Sequence, residues 1–115
     1  MGRVILNETE YKQLAAEAVS LANALLSDTG DYLGNITRLS SLRYEIGEND
    51  NDADFNIFVA ISSDTDHIPY GVSRDGCSEK WLGQCDKELS DIKEIYRGHI
   101  EASCKSIIER FVKNA

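Results

Sequence analysis

Apolar residues recur at spacings of three and four in three parts of the chain, which predicts three amphipathic helices. The first helix is predicted from about residue 8 to residue 27. Asn7 can cap its start and Glu10 can return a hydrogen bond, while Asp28-Thr29-Gly30 ends the pattern. Its apolar face consists of Tyr11, Leu14, Ala15, Ala18, Leu21, Ala22 and Leu25.

Two further helices follow from the same periodicity. One is predicted to begin at Asp31 and to end at Gly47, with Tyr32, Leu33, Ile36, Leu39, Leu42 and Ile46 on its apolar face. The other is capped by Ser78, and Gly83 and Gly98 could divide it. Its face is formed by Trp81, Cys85, Leu89, Ile92, Tyr96, Ile100, Cys104, Ile107 and Phe111.

The middle of the chain has a different pattern. Residues 55–61 are aromatic, β-branched or otherwise mostly apolar, which predicts a strand buried on both faces. Residues 62–66 are typical of a turn, and residues 67–73 would return as an edge strand because Pro69 lacks a backbone donor. The predicted fold class is therefore α+β: three or four helices packed on a small antiparallel β-hairpin.

Length and composition indicate one domain over residues 1–115. A chain of 115 residues with 42% hydrophobic and 28% charged residues can bury a single core. Neither a secretory leader nor a stretch of roughly 18 apolar residues, as a membrane span needs, is present in the sequence. We therefore expect a cytoplasmic protein that does not bind membranes.

Three cysteines, Cys77, Cys85 and Cys104, are spaced eight and nineteen residues apart. This odd set fits neither a closed disulfide framework nor a paired zinc motif. Cys85 and Cys104 also lie on the apolar face of the last helix, so we expect reduced, buried thiols and no cofactor.

Charge is distributed unevenly along the chain. Residues 44–73 carry seven acids and no Lys or Arg, a charge of −7, whereas residues 1–43 carry −1 and residues 74–115 carry zero. Most of the net charge of −8 therefore falls in one segment. Such a segment repels nucleic acid and anionic membrane and favours association with a cationic protein, although solubility alone could also explain it. The seven acids are Glu45, Glu48, Asp50, Asp52, Asp54, Asp64 and Asp66.

Part of this segment resembles a calcium loop. Asp50, Asp52 and Asp54 occupy the first, third and fifth ligand positions. The sixth position, where a sharp turn needs glycine, is Phe55, and the twelfth, where a bidentate Glu is needed, is Ile61. The sequence therefore favours a solvated acidic loop and no metal site.

A second candidate site is the turn that contains Asp64, Asp66 and His67. Carboxylate and imidazole groups are metal ligands, so a small regulatory or metal-responsive domain that uses this turn is the alternative function. An enzyme that uses His67 would need a nucleophile and an oxyanion-stabilising group beside it, and the sequence indicates neither. We expect no catalytic residues and no enzymatic activity.

Three stretches together resemble an uncharacterised bacterial family: LSSLRYEIG at residues 39–47, SDTDHIPYG at residues 63–71, and YRGHIEASCKSIIERF at residues 96–111. Members of that family carry a Ser-x-Thr-Asp-His-x-Pro-x-Gly stretch. The profile of a small, acidic, single-domain protein is also similar to that of immunity proteins of polymorphic toxin and contact-dependent growth inhibition systems. This resemblance implies a protein that binds and blocks a toxin domain.

The functional hypothesis is therefore an immunity protein that neutralises a basic toxin domain, with a nuclease as the expected toxin. A nuclease site must attract phosphate, so a carboxylate-rich surface can occupy it by charge complementarity. We expect a monomer or weak homodimer. The predicted partner-binding residues are the seven acids and Tyr70, with Tyr44 and Trp81 as further aromatic anchors.

Overall fold

The computed structural model describes residues 7–46 and 52–112, and all regular structure in these two ranges is helical. Four α-helices and one short 3₁₀ helix follow one another along the chain. They are α1 (Glu8–Leu26), α2 (Tyr32–Glu45), α3 (Ala53–Asp64), the 3₁₀ helix (Gly71–Gly76) and α4 (Glu79–Phe111).

The predicted α+β class is wrong, because the segment expected to form a buried strand is the helix α3. Phe55, Phe58 and Ile61 are fully buried, and their spacing of three places them on one helical face. Asp52 begins the helix: its side chain accepts a hydrogen bond from the backbone N–H of Asp54 at 3.1 Å. The local preference of aromatic and β-branched residues for strands is overridden by this cap and by helical packing.

The expected return strand at residues 67–73 is also absent. With α3 helical, these residues have no strand to pair with. Ile68 is instead buried, Gly71 adopts a positive φ of 60°, and the chain continues into the 3₁₀ helix. Gly71 permits this backbone conformation because it has no Cβ.

The three helices predicted from periodicity are confirmed as α1, α2 and α4, and so are the predicted caps Asn7 and Ser78. Asp31, predicted only as the first residue of α2, is its cap, and the predicted end of α2 at Gly47 lies outside the described residues. Asn7 accepts from the N–H of Glu10 at 2.8 Å. Asp31 accepts from the N–H of Gly34 at 3.2 Å, and Ser78 accepts from that of Trp81 at 3.1 Å. The last helix is continuous over 33 residues, so its two glycines do not divide it.

The helix α1 runs antiparallel to α4. At one end the rings of Tyr11 and Phe111 lie 6.3 Å apart. At the other end Lys93 Nζ lies 3.4 Å from Asp28 Oδ1, just beyond the end of α1. The start of α1 thus contacts the end of α4, and the end of α1 contacts the middle of α4, so the two helices run in opposite directions.

The helix α3 is also antiparallel to α4, since Ser106 Oγ donates to Asp54 at 2.7 Å and Tyr96 Oη donates to Asp64 at 3.2 Å. The helix α2 is antiparallel to α3 as well: Arg43, near the end of α2, donates to Asn56, near the start of α3, at 3.3 Å. At the opposite ends of these two helices, Leu33 and Thr65 line one pocket. The four helices therefore form an up-down-up-down bundle. The main buried core consists of Ala15, Ala18, Ala22, Leu25, Ile36, Leu39, Leu42, Ile46, Phe55, Phe58, Ile61, Ile100, Cys104, Ile107 and Phe111.

The length of α4 places its first half outside this bundle. A helix of 33 residues is about 50 Å long, whereas the 19 residues of α1 span about 28 Å. The longest dimension of the molecule, 47 Å, is close to the length of α4. Residues 65–78, which we call the strap, cover part of the projecting half of α4. In the described part of the chain, no helix is long and apolar enough to span a bilayer.

Candidate functional site

The strap is attached to the bundle by a small apolar cluster. Ile68 packs with Leu33 of α2 and Cys85 of α4, and all three are buried. Cys85 and Cys104 are thus buried free thiols, as predicted, while Cys77 is partly exposed. Burial raises the pKa of the Cys104 thiol to about 12, so this group is neutral at physiological pH.

A hydrogen bond and an ion pair hold the strap on opposite sides of this cluster. His67 Nε2 lies 2.6 Å from Glu88 Oε2, and the Arg74 guanidinium donates to both carboxylate oxygens of Asp86 at 2.9 and 3.1 Å. Asp86 and Glu88 lie on either side of Cys85 around the helix, so the strap crosses α4 between them. The hydrogen bonds from Arg74 lower the pKa of the Asp86 carboxyl.

Three of the predicted partner-binding acids pair with arginines of the bundle: Glu45, Asp52 and Asp54. Glu45 and Glu17 share Arg38, whose guanidinium lies 2.7 Å from Glu45 Oε2 and 2.6 Å from Glu17 Oε2. Arg38 lowers the pKa of the Glu17 carboxyl, mainly through their hydrogen bond. Both carboxylates therefore bind the same guanidinium, and a role of Glu45 in partner binding stays a prediction.

Asp52 and Asp54 share Arg110 in the same way. Arg110 Nη1 lies 2.9 Å from Asp52 Oδ2 and 3.0 Å from Asp54 Oδ2. Asp52 is also nearly buried, with 6% of its surface exposed. These two carboxylates join the start of α3 to the end of α4. The predicted residues Glu48 and Asp50 lie outside the described residues.

The remaining predicted residues lie at the opposite end of α3. Asp64 accepts from Tyr96, whereas Asp66 is exposed and lines a small pocket with Tyr70. His67 faces Glu88 on α4. Because α3 has 12 residues, about 18 Å along its axis separate these acids from Asp52 and Asp54. The fold thus divides the acidic segment into two groups.

The group at the strap end is joined by acids from α4. Residues 64–91, which comprise the end of α3, the strap and the first half of α4, form what we call the strap surface. They carry seven acids against three Lys or Arg, a net charge of −4 with histidine neutral. Sequence reasoning overlooked the α4 members because residues 74–115 are neutral as a whole. A shorter window over residues 74–91, with five acids and three bases, would have revealed them.

Exposed apolar side chains lie on this same strap surface. Val72 is 88% exposed, and Tyr70 and Trp81 are 40% and 41% exposed. Trp81 lies one helical turn before Cys85, on the side of α4 that faces the strap. Tyr70 and Trp81 were predicted as anchors, but Val72 has no sequence signal. Tyr44, the third predicted anchor, is 56% exposed and lies near the other end of the bundle.

The turn proposed as a metal site does not gather its three side chains. Asp64 contacts Tyr96, His67 contacts Glu88, and Asp66 lines the small pocket together with Tyr70. Among residues 7–46 and 52–112, no group of three or more His, Cys, Asp or Glu side chains could hold a metal ion.

Comparisons with models of known protein families, with curated proteins and with solved structures give no significant match. The resemblance to an uncharacterised bacterial family therefore stays a prediction from the residues.

Proposed function

We propose that this protein is an immunity protein that binds and neutralises a basic toxin domain through the strap surface. The observation that carries the proposal is the combination of three exposed apolar side chains, Tyr70, Val72 and Trp81, with a local charge of −4. Aromatic side chains supply a large share of the binding energy at protein interfaces, and surrounding charges select the partner.

The sign of the charge indicates the chemistry of the partner. Nucleic acids and anionic lipids are repelled by a surface with excess carboxylate, whereas Lys- and Arg-rich proteins are attracted. A nuclease domain has such a basic site because it binds phosphate. A carboxylate-rich surface that occupies this site would exclude the nucleic acid substrate.

The exposed acids of this surface are suited to binding. Asp66 and Asp75 are exposed and make no ion pair within the described residues. Their carboxylates can therefore bind a Lys or Arg of the partner without first breaking an internal ion pair. This distinguishes them from Asp52 and Asp54, which hold Arg110.

The experiment compares two variants of equal charge change. Asp66→Lys with Asp75→Lys alters the strap surface. Glu8→Lys with Glu109→Lys places the same charges at the opposite end of the bundle, on exposed residues. Each tagged protein is used to capture binding proteins from a lysate of its source cells at low and high salt. The captured protein is then co-expressed with each variant and growth is measured.

The proposal predicts that wild type and the Glu8/Glu109 variant retain a basic protein and restore growth. The Asp66/Asp75 variant should lose both activities, and high salt should weaken capture by wild type. Equal binding by both variants would contradict the assignment to the strap surface. Failure of wild type to protect cells from any protein that it captures would contradict the immunity function itself.

A further inference from the structure

A cavity of about 270 Å³ lies between the end of α1, the start of α2 and the middle of α4. Its floor is apolar: Leu25 of α1 and Ile100 of α4 are buried, and Leu26 borders the opening. A cavity of about 150 Å³ is enough to hold a benzene molecule. The pocket is therefore large enough for one apolar side chain together with a small polar head group.

On one wall of the pocket, the charges of Lys93 and Asp28 neutralise each other. Lys93 Nζ lies 4.4 Å above the centre of the Tyr32 ring and 3.4 Å from Asp28 Oδ1. The ammonium group of Lys93 is thus held by a ring and a carboxylate. This wall closes the pocket on the side of the turn between α1 and α2.

The other wall carries two opposite charges that do not bind each other. Arg97 and Glu101 are four residues apart on α4, so their Cβ atoms are about 5–6 Å apart on one helical face. Arg97 donates to Glu94 at 2.5 Å through one of its nitrogens. Glu101 has no ion-pair partner within residues 7–46 and 52–112. A cation and an anion therefore border the apolar floor side by side.

We propose that this pocket binds a free α-amino acid with an apolar side chain. The carboxylate of the ligand would accept hydrogen bonds from Arg97, and its ammonium group would donate to Glu101. The side chain would lie on Leu25 and Ile100. A zwitterion can bind Glu101 and the remaining N–H groups of Arg97 at once, which a simple carboxylic acid or amine cannot. This inference is independent of the strap surface and of the proposed function.

The probe is L-phenylalanine, titrated into ¹⁵N-labelled protein and followed by the chemical shifts of the backbone amides. Two analogues each remove one charge: N-acetyl-L-phenylalanine lacks the ammonium group and L-phenylalaninamide lacks the carboxylate. We expect saturable shifts confined to the residues around the pocket. Each analogue should bind roughly tenfold more weakly or worse, since a hydrogen bond to a charged group is lost.

Two variants with neutral side chains of similar shape assign the charges. Arg97→Gln should weaken binding of L-phenylalanine about tenfold while leaving the affinity for the amide nearly unchanged. Glu101→Gln should likewise weaken binding of L-phenylalanine about tenfold, because the ammonium group of the ligand loses its carboxylate partner. The affinity for the N-acetyl analogue, which has no ammonium group, should not change. Lys105→Gln, one turn further along α4 on an exposed residue, is the matched control and should bind as wild type.

Either of two results would overturn the proposal. One is the absence of saturable shifts at the solubility limit of L-phenylalanine. The other is equal affinity for L-phenylalanine and both analogues, which would show that the charged wall does not contact the ligand. The exposed positions of Arg97 and Glu101 make both variants compatible with folding, and their amide spectra verify this directly.

Discussion

Asp52 and Arg110 are separated by 58 residues in the chain, yet a carboxylate oxygen of the first lies 2.9 Å from Nη1 of the second. Asp52 also accepts from the backbone of Asp54 at the start of α3. One side chain therefore caps α3 and fixes the end of α4 against it. A nearly buried carboxylate depends on its cation, because an unpaired charge in this environment is costly.

Replacing Arg110 by Gln should therefore destabilise the fold strongly. We expect a loss of about 3 kcal/mol in the free energy of unfolding, because the buried Asp52 carboxylate is left without its guanidinium. Arg74→Gln is the matched control, since it breaks the solvent-exposed pair with Asp86 and should destabilise the fold much less than Arg110→Gln does. Urea denaturation at neutral pH measures both. Similar losses for the two variants would show that burial of Asp52 is not what makes the pair important.

The hydroxyl of Tyr32 is buried and has no hydrogen-bond partner among the described residues. A buried polar group without a partner costs about 1–3 kcal/mol. Tyr32→Phe removes the hydroxyl and keeps the ring that packs against Lys93. We expect this variant to be as stable as wild type or more stable by about 1 kcal/mol in urea denaturation. A clear loss of stability would mean that the hydroxyl makes a hydrogen bond, for example to a buried water.

Tyr32 should also make the stability of the protein depend on pH in the alkaline range. Burial raises the pKa of Tyr32 to about 12, with smaller contributions from Cys104 and Asp28. In the unfolded chain tyrosine ionises near pH 10, so the unfolded state loses this proton first. The contribution of Tyr32 is complete below about pH 10 and is lost as the pH rises from about 10 to 12. Stability in this range should therefore fall less steeply for Tyr32→Phe than for wild type.

Gly83 and Gly98 lie inside α4, where a Cβ atom would meet nothing within 4 Å. Replacing either by Ala should stabilise the protein by about 0.5–1 kcal/mol, because glycine loses more backbone entropy in a helix. Gly34→Ala is the contrasting change, since its Cβ would lie 3.0 Å from Oδ2 of Asp31, the residue that caps α2. Thermal denaturation should show a higher Tm for the α4 variants only. If Gly34→Ala were equally stabilising, the cap of α2 would not restrict that position.

Asp28 has a φ of 53° directly after α1, and Thr29 N–H bonds to the carbonyl of Ala24 at 2.9 Å. This arrangement is a Schellman motif, in which glycine is the favoured residue. We expect Asp28→Gly to be more stable than Asp28→Ala by about 1 kcal/mol, because alanine is strained at positive φ. The lost contact with Lys93 is common to both variants, so their comparison isolates the backbone effect. Equal stability would contradict the positive φ.

The helices α1, α2 and α4 were predictable because each signal agreed with the others. In α4, the apolar positions from Cys85 to Phe111 repeat at helical spacing, and Ser78 supplies the expected cap. The local sequence of these segments favours the same structure that tertiary packing selects. Their starting positions and their buried faces therefore follow from residue order alone.

The segment at residues 55–61 contained conflicting signals. Its aromatic and β-branched content favours a strand, whereas the spacing of Phe55, Phe58 and Ile61 favours a helix with Asp52 as its cap. Because almost every residue of the segment is apolar, periodicity was hard to recognise. The candidate site could be predicted only in part for a related reason: the strap is held against acids of α4 that are distant in the chain, through His67 with Glu88 and Arg74 with Asp86. Charge along the sequence does not reveal such a surface.

Although α4 is one continuous helix, its two halves differ in how much of the fold must open to expose them. Only Cys85 is buried before Ile100, whereas Ile100, Cys104, Ile107 and Phe111 are all part of the main core. Amide hydrogens of the later turns should thus exchange with solvent only when the whole bundle unfolds, and those of the earlier turns through local opening. If the strap surface binds a partner, the slowing of exchange in those first turns would report binding more sensitively than any change in the bundle.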